Sequence, residues 1–165
     1  MIIGMRSSGI HSNGYTLARK VFTENGYDFH DEMEDIGIIG YALLEPTKIY
    51  VREIIELWEN VEVKGIAHVT GGGLRKIKRM APHVHFVIEN PMEPQPIFRI
   101  IQKLGNVSVE EMYQTFNMGM GMAVVMDKKD VDTSLDILNR YVEAEVVGKI
   151  ERGEGVSIPS LGIKI

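Results

Sequence analysis

Residues 1–18 read MIIGMRSSGIHSNGYTLA, and the order of residue types in this stretch indicates how the fold is built. The apolar residues 1–4 are typical of the end of a strand, and the small polar and glycine residues 7–14 are typical of a loop. A helical pattern follows and ends at Gly26. Its apolar face consists of Tyr15, Ala18, Val21 and Phe22. A strand, a polar loop and a helix therefore follow one another directly.

A second unit with the same order lies further along the chain. Residues 66–69 predict a buried strand, residues 70–73 a loop of threonine and three glycines, and residues 74–80 a short basic helix. In the first unit, Ser12 or Asn13 is expected to cap the helix, because either side chain can accept a hydrogen bond from a first-turn amide. Both loops thus precede a predicted helix N-terminus.

The rest of the chain alternates predicted helices and strands, apart from residues 30–45, which have no clear period and are interpreted as a connection. Ser108 and Glu111 have the spacing of a capping box, which marks a helix start. The predicted elements are a helix over 51–60, a strand over 84–88, a helix over 97–104, a short helix after Ser108, a strand through 118–126, a helix over 131–142 and a strand over 146–150. This interleaving favours a sheet with helices on its faces.

Composition narrows the class of protein. The 165 residues suit one domain, and 44% hydrophobic with 25% charged residues suit a folded core. A net charge of −5 argues against a main role in nucleic-acid binding. The absence of cysteine excludes disulfides, thiolate catalysis and cysteine-based metal sites. No stretch approaches the ~20 apolar residues that cross a bilayer, so we expect a cytoplasmic protein without membrane contact.

The two glycine loops are the strongest candidates for a binding site. Unpaired amides and the positive end of the helix dipole suit a phosphate at a helix N-terminus. Either loop alone could equally be a tight turn, but two in one small chain favour function. Neither loop matches a P-loop or dinucleotide fingerprint. The basic residues after the second loop are interpreted as solvated, with one of them able to reach an anion: Arg75, Lys76, Lys78 and Arg79.

Several other residues invite a functional interpretation. His83 and His85 share a strand face, but without a third ligand a solvated face is favoured over zinc. His68 is expected to be buried and hydrogen-bonded. His11 lies among polar and glycine residues, where a neutral imidazole could contact a substrate or serve only in structure.

The glycines and methionines around residue 120 have structural interpretations. Close packing is favoured for Gly121, and for Gly119 both packing and the close approach of a ligand stay open. Five methionines are interpreted as pliable core residues: Met112, Met118, Met120, Met122 and Met126.

Four segments of the chain together resemble a known family. They are Ser7-Ser8-Gly9-Ile10-His11-Ser12-Asn13-Gly14-Tyr15-Thr16-Leu17, the run from Leu44 through Pro46-Thr47-Lys48-Ile49-Tyr50 to Val51, His68-Val69-Thr70-Gly71-Gly72-Gly73, and residues 111–122, EMYQTFNMGMGM. In this order they resemble the C-terminal domain of the aminoimidazole ribonucleotide synthetases, also called phosphoribosylformylglycinamidine cyclo-ligases. The resemblance covers nearly the whole chain. Two departures are Gln114, where arginine is usual, and the basic run 74–79 after the glycines.

The resemblance implies a fold and an activity. The expected fold is α+β, a three-layer α/β/α domain with a mixed sheet over residues 1–165. The implied reaction belongs to purine biosynthesis: ATP, with Mg²⁺, activates the amide oxygen of formylglycinamidine ribonucleotide, and ring closure expels phosphate to give aminoimidazole ribonucleotide. The family's N-terminal domain, which mainly holds ATP and Mg²⁺, is expected to be absent from these residues. It would lie in the same protein or in a separate chain, and a homo-oligomer is expected.

The resemblance also implies site residues, with no metal ligand among them. His11 would be the catalytic residue, as a polarising or proton-handling group. The expected substrate-binding residues are Ser7, Ser8, Gly9, Ser12, Asn13, Thr70, Gly71, Gly72, Gly73, Asn117 and Gly119. A helix terminus contributes at most ~2 kcal/mol to anion binding, whereas micromolar affinity needs ~8 kcal/mol. We therefore expect no cyclo-ligase activity from the chain alone.

Two alternatives to an enzyme half stay open. One is a module that binds a phosphoribosyl ligand or a partner domain and catalyses nothing itself. The other is a different member of the superfamily, such as the formylglycinamide ribonucleotide amidotransferase or selenophosphate synthetase, against which the segment 111–122 argues. The sequence does not distinguish a natural half-length protein from a fragment.

Overall fold

A seven-stranded sheet organises the computed structural model, which describes all residues 1–165. The strands are β1 (Ile2–Arg6), β2 (Glu32–Met33), β3 (Gly37–Ile38), β4 (Val63–His68), β5 (Val84–Ile88), β6 (Met120–Met126), β7 (Ala144–Arg152), β8 (Gly155–Ile158) and β9 (Ile163–Lys164). The sheet order is β4-β6-β1-β7-β5-β8-β9, while β2 and β3 form a separate hairpin. Only β5 and β8 pair in parallel, so the sheet is mixed, as predicted.

Six α-helices connect and cover the strands. They are α1 (Tyr15–Glu24), α2 (Ile39–Leu43), α3 (Val51–Asn60), α4 (Pro96–Leu104), α5 (Val109–Thr115) and α6 (Val131–Leu138). Short 3₁₀ helices occupy Gly73–Arg79, Lys128–Asp130 and Pro159–Leu161. None of the helices has the length and apolar character needed to cross a membrane. The segment 30–45, interpreted as a meandering connection, contains the β2–β3 hairpin and α2.

The sheet lies between two layers of helices, which confirms the predicted three-layer α+β fold. Successive residues of a strand point to opposite faces, and Ile2 and Ile3 accordingly join different cores. One core contains side chains of α1, α2, α4 and α5. The other contains side chains of α3 and α6. Both faces of β1 and β6 are therefore buried, which explains the unbroken apolar runs in these strands.

Helices α5 and α1 begin with different kinds of N-cap. At α5, the Ser108 hydroxyl accepts a hydrogen bond from the Glu111 amide at 3.2 Å, so the predicted cap is confirmed. At α1, the expected cap by Ser12 or Asn13 is wrong, because Gly14 precedes the helix in the left-handed region with φ 71° and no side chain caps it. The Ser12 hydroxyl instead lies 3.1 Å from the Thr47 hydroxyl.

Several predicted elements differ from the structure in helix type or in their bounds. The basic helix after the glycines is a 3₁₀ helix, so its amide dipoles are less well aligned than in an α-helix. Strand β6 begins at Met120, because Met118 and Gly119 turn the chain with φ 47° and 92°. Helix α6 ends at Leu138 rather than Val142.

Helix α3 forms where predicted. The i, i+3, i+4, i+7 spacing of Val51, Ile54, Ile55 and Trp58 predicts one apolar face, but of these four residues only Ile54 is buried. Ile54 and Leu57 pack on the sheet, together with the carboxylate-bearing Glu53. The apolar side chains of Val51, Ile55 and Trp58, spaced i, i+4, i+7, are exposed. The helix therefore has one apolar face in the core and a second one in solvent.

Candidate functional site

The two glycine loops meet on one side of the sheet. A Cβ on Gly71 would lie 2.7 Å from the Asn13 side-chain oxygen, which places the second loop directly beside the first. The two loops also share Phe116: its ring contacts Gly14, and its backbone carbonyl lies 2.8 Å from where a Gly73 Cβ would be. The loops predicted to form an anion site are thus brought together by the fold.

Backbone amides in both loops are unpaired within the chain. No amide of residues 9–13 donates a hydrogen bond to another group of the protein, nor do the amides of Gly71 and Gly72. Ser12 is exposed, and Asn13, Gly71 and Gly72 are half-buried. The exposed part of the site therefore offers several N–H donors without a competing internal acceptor, which is the arrangement that binds anions.

One lysine lies close to the second loop. The Lys76 side chain folds back over Gly72, and its Cε is 3.9 Å from where a Cβ on that glycine would be. Lys76 forms no salt bridge within 4.0 Å, although it is only half exposed. The neighbouring Arg75 donates to the side-chain oxygen of Gln114 instead. Among the basic residues after the loop, Lys76 is therefore the one placed to reach an anion there.

The connection between two helices crosses the first loop. We call residues 44–50, between α2 and α3, the strap. The Ser8 hydroxyl donates to the Pro46 carbonyl at 2.6 Å, and the Ser12 hydroxyl lies beside Thr47. At the end of the strap, the Tyr50 hydroxyl donates to the Arg6 carbonyl at 2.7 Å. The strap thus fixes the start and middle of the first loop. The only sequence signal for it was its place among the four family-like segments.

His11 is buried at the centre of this site. It is 1% exposed and has a left-handed backbone, with φ 55°, which is uncommon for a residue other than glycine. Its Nε2 accepts a hydrogen bond from the Ser8 amide at 3.2 Å, while its Nδ1 has no partner. Burial, with a smaller effect of His68, lowers the pKa of His11 from 6.5 to about 4. The imidazole is therefore neutral at pH 7 and carries its proton on Nδ1.

Three aromatic rings form a cluster, and two of them, His11 and Tyr50, lie against the backbone of Gly121. The ring centroids of His11, Tyr50 and His68 lie 5.9 to 6.3 Å apart. A Cβ on Gly121 would lie 2.0 Å from the Tyr50 hydroxyl oxygen and 2.8 Å from the His11 ring, so the favoured packing role of this glycine is confirmed. His68 is exposed rather than buried and hydrogen-bonded as expected, because β4 is the edge strand and ends there. Partial burial lowers the pKa of His68.

Four of the expected substrate-binding residues, Ser7, Gly9, Asn117 and Gly119, are buried and hydrogen-bonded to one another within the chain. The Asn117 amide group donates to the Gly9 carbonyl at 2.8 Å, and its oxygen accepts from the Gly119 amide at 2.9 Å. The Gly119 carbonyl accepts from the Ser7 amide at 2.9 Å. Asn117 and Ser7 are 2% and 4% exposed. These residues hold the first loop against the start of β6, whereas Ser8, Ser12, Asn13 and residues 70–72 border the open side.

The remaining candidates lie away from this site. His83 is exposed in the turn just before β5, and its Nδ1 lies 3.9 Å from a carboxylate oxygen of Glu154. His85, on β5 itself, is half-buried. No three side chains of His, Asp or Glu come together anywhere in the structure in a way that could hold a metal ion. An ion pair joins the strap to α3: the Lys48 ammonium is 3.1 Å from the carboxylate of Glu53, which is 2% exposed.

Comparison with known proteins adds evidence of descent. The family described as AIR synthase related protein, C-terminal domain, matches residues 1–159. The phosphoribosylformylglycinamidine cyclo-ligase of Methanopyrus kandleri is 52% identical over 157 residues, which is 95% of this chain and 45% of that protein. Those of Methanocaldococcus jannaschii and Thermoplasma volcanium are 47% and 41% identical, covering 91% and 100% of this chain. The chain spans about half the length of these curated relatives and matches their C-terminal half.

Solved structures share the fold at low sequence identity. A crystal structure of the Escherichia coli hydrogenase maturation protein HypE covers 100% of this chain with a TM-score of 0.57 and 16% identity. Another structure of the hydrogenase maturation protein HypE gives a TM-score of 0.61 at 14% identity. In both, the similar region is about half of the solved chain, at 48% and 51%.

Proposed function

Because the chain belongs to the AIR synthase related family through its C-terminal domain, we propose that it is the C-terminal half of a phosphoribosylformylglycinamidine cyclo-ligase. The proposed reaction converts formylglycinamidine ribonucleotide to aminoimidazole ribonucleotide in purine biosynthesis. ATP phosphorylates the amide oxygen, the amidine nitrogen attacks the activated carbon, and phosphate leaves as the ring closes. The identity of 52% to a cyclo-ligase supports this assignment over other members of the superfamily.

The observation that carries the proposal is the meeting of the two glycine loops. The substrate has a ribose phosphate, and a phosphate is the group that unpaired amides and a nearby cation bind. Ser12, Asn13 and the amides of Gly71 and Gly72 lie on the open side of the joined loops. Lys76 adds a positive charge next to Gly72. We therefore assign the substrate phosphate to this place, with Ser8 and Thr70 at its border.

The proposed role of His11 follows from its protonation. A base or acid in catalysis works best with a pKa near the working pH, and a pKa of about 4 leaves His11 neutral. Its Nε2 already accepts the Ser8 amide. The Nδ1–H is buried and has no internal partner, so it is the ring atom left to bond a substrate group that reaches it. We assign His11 to polarisation of the substrate by a hydrogen bond, not to proton transfer.

The residues of this chain suit the phosphates of ATP but not Mg²⁺. The loop amides suit a phosphate of either ATP or the ribonucleotide. Mg²⁺ prefers carboxylate oxygens, and the structure gathers no group of acidic side chains that could hold it. We therefore propose that the other half of the enzyme supplies the ligands of Mg²⁺. That half would belong to the same protein or to a separate chain, and the assembled enzyme to a homo-oligomer.

Reconstitution tests the proposed function directly. The 165-residue chain is co-expressed with the part of the Methanopyrus kandleri cyclo-ligase that precedes its matched region, and the purified complex is assayed for aminoimidazole ribonucleotide. We expect ATP-dependent product from the complex and none from the chain alone. A complex that binds the ribonucleotide but forms no product would instead support a non-catalytic binding module.

A further inference from the structure

We propose that the groove between α3 and β4 is the docking surface for the polypeptide that corresponds to the N-terminal half of the relatives. The groove has a volume of about 840 Å³. Its lining runs from Ile49, Val51 and Trp58 on the helix side to Val63, Ile66 and His68 on the strand side. We call it the α3–β4 groove. The proposal rests on the proposed function for the identity of the partner.

The α3–β4 groove presents large apolar side chains to solvent. Ile49, Val51 and Trp58 are 77%, 58% and 60% exposed, and Ile55 on the same helix face is 49% exposed. Trp58 is the only tryptophan in the chain. Isolated exposed apolar residues are ordinary, but a contiguous cluster of this kind marks an interaction surface. Aromatic residues such as tryptophan dominate the energetics of such surfaces.

The strand side of the groove is also unpartnered. Strand β4 pairs only with β6, so its outer edge carries backbone groups without a neighbouring strand. Proteins usually protect such edges with charge or by covering them. Lys64 protects one end through its 2.9 Å contact with Asp127. The segment from Gly65 to Ile66 has no charged side chain and faces the apolar wall of α3.

The position of the groove identifies its occupant. At one end, Val63 pairs with Met126, and the Met126 carbonyl also accepts from the amino group of Met1 at 2.7 Å. The amino group of Met1 therefore lies about two strand spacings, roughly 10 Å, from the groove. In the relatives, a segment about as long as this chain precedes the matching region. A domain that enters at Met1 would meet the groove first.

The other end of the groove reaches the candidate site. His68 and Tyr50 line the groove and also form the ring cluster around His11. A domain seated in the groove would therefore stand beside the glycine loops, where the proposed function needs the rest of the ATP site. A second copy of this chain in the groove would block that approach without adding an acidic metal site.

Site-directed labelling tests the surface, since the chain has no cysteine of its own. Val51→Cys places a thiol in the groove, and Leu161→Cys places one at a similarly exposed apolar position beyond the sheet's other edge, before β9. Each variant is treated with a maleimide, alone and in the co-expressed complex with the Methanopyrus kandleri segment, and labelling of this chain is followed by mass spectrometry. We expect labelling at position 51 to slow at least about tenfold in the complex, while position 161 is unchanged.

The affinity of the complex after a charged residue is placed in the groove provides the second test. Trp58→Lys should weaken the complex about thirtyfold or more, the effect of losing a hot-spot aromatic residue. Leu161→Lys is the matched control and should leave affinity unchanged. Both side chains are exposed, so neither change disturbs the core, and circular dichroism checks that both variants fold.

The outcomes separate the surface from the function. No complex, a complex with unchanged labelling at position 51, or a chain that dimerises alone with position 51 protected would each overturn the docking proposal. A complex that protects position 51 but makes no aminoimidazole ribonucleotide would support the surface and contradict the proposed function. An active complex in which position 51 stays exposed would support the proposed function and overturn the docking proposal.

Discussion

The Nε2 atom of His11 accepts a hydrogen bond from the backbone amide of Ser8 at 3.2 Å. This contact joins two residues of the same loop and determines which ring nitrogen carries the proton. The bond requires an unprotonated Nε2, and burial of the ring disfavours the charged form. The loop geometry and the neutral state of His11 therefore depend on each other.

Because the fold holds His11 neutral, the stability of the chain should depend on pH. Burial lowers the pKa of His11 from 6.5 to about 4 in the folded state, so the unfolded chain binds the proton more tightly. The corresponding stability is fully present above about pH 6.5 and is lost as the pH falls toward 4. We expect His11 to account for a decrease of about 2 kcal/mol in the free energy of unfolding between pH 7 and pH 5.

Urea unfolding of the parent chain and of His11→Asn at both pH values measures this contribution. Asparagine tolerates the left-handed backbone at this position, and His83→Gln serves as an exposed control. The parent and His83→Gln should lose about 2 kcal/mol more than His11→Asn on acidification. Identical pH slopes for all three proteins would show that His11 is not held neutral by the fold.

Gly121 should not accept a side chain. A Cβ there would lie 2.0 Å from the Tyr50 hydroxyl oxygen and 2.8 Å from the His11 ring. We expect Gly121→Ala to lower the free energy of unfolding by about 2 kcal/mol or more, as overpacking does. Tyr50→Phe in the same chain removes the closest atom and should recover part of the loss. Gly9→Ala, with its nearest contact at 3.5 Å, is the control; thermal unfolding in which both alanine variants behave alike would refute the packing argument.

The Lys48–Glu53 pair predicts a strong asymmetry between single and double variants. Glu53 is 2% exposed, and the Lys48 ammonium lies 3.1 Å from it. Lys48→Met leaves the carboxylate buried without its partner and should cost about 3 kcal/mol of stability. Lys48→Met with Glu53→Gln removes the charge as well and should cost clearly less. Lys20→Met, which breaks an exposed pair at 3.8 Å, should change stability by under about 0.5 kcal/mol in the same denaturation assay.

Asn117 should be needed for the shape of the first loop. Its amide group bridges the Gly9 carbonyl and the Gly119 amide, both buried. Asn117→Asp keeps the acceptor but places a carboxylate against the Gly9 carbonyl, so we expect a loss of about 2 kcal/mol or more in the free energy of unfolding. The exposed Asn60→Asp is the control, and hydrogen exchange of residues 9–13 reports on loop order. Unchanged exchange in Asn117→Asp would contradict the assigned role.

Lys76 tests the proposed phosphate site in the reconstituted complex. Its side chain covers Gly72, whereas Lys78 on the same 3₁₀ helix is exposed. Lys76→Ala should raise KM for the ribonucleotide about tenfold or more, since a charge-assisted bond to phosphate is worth roughly 1.5–3 kcal/mol. Lys78→Ala should leave KM unchanged, because its ammonium lies outside the loop. Equal effects of the two variants would point to general electrostatic attraction rather than a defined contact.

Much of the fold could be predicted from local pattern. The strand at Ile2–Arg6, the helix at Val51–Asn60 and the cap at Ser108 each depend on neighbouring residues alone. The cap of α1 could not be predicted in this way. Gly14 takes the left-handed conformation there, and the side chains of Ser12 and Asn13 are turned toward Thr47 and Gly71, which are distant in sequence.

The candidate site shows the same division. The two glycine loops were visible as motifs, but their contact through Gly71 and Asn13 joins residues 58 positions apart. The strap and Tyr50 were missed because their contacts to Ser8 and Arg6 are also long-range. Asn117 was expected at the substrate, and its amide group is bonded to Gly9 and Gly119 within the chain.

The sequence by itself determined most of the strands of the main sheet, the longer helices, the family and the two loops with potential anion donors. These features arise from periodicity, glycine conformation and motif identity, which are local properties of the chain. Only the tertiary structure decided which nitrogen of His11 carries the proton, which of the apolar residues of α3 face solvent, and that the loops meet. Those features depend on burial and on contacts between distant segments, and burial is a property of the packed chain rather than of any single stretch of it.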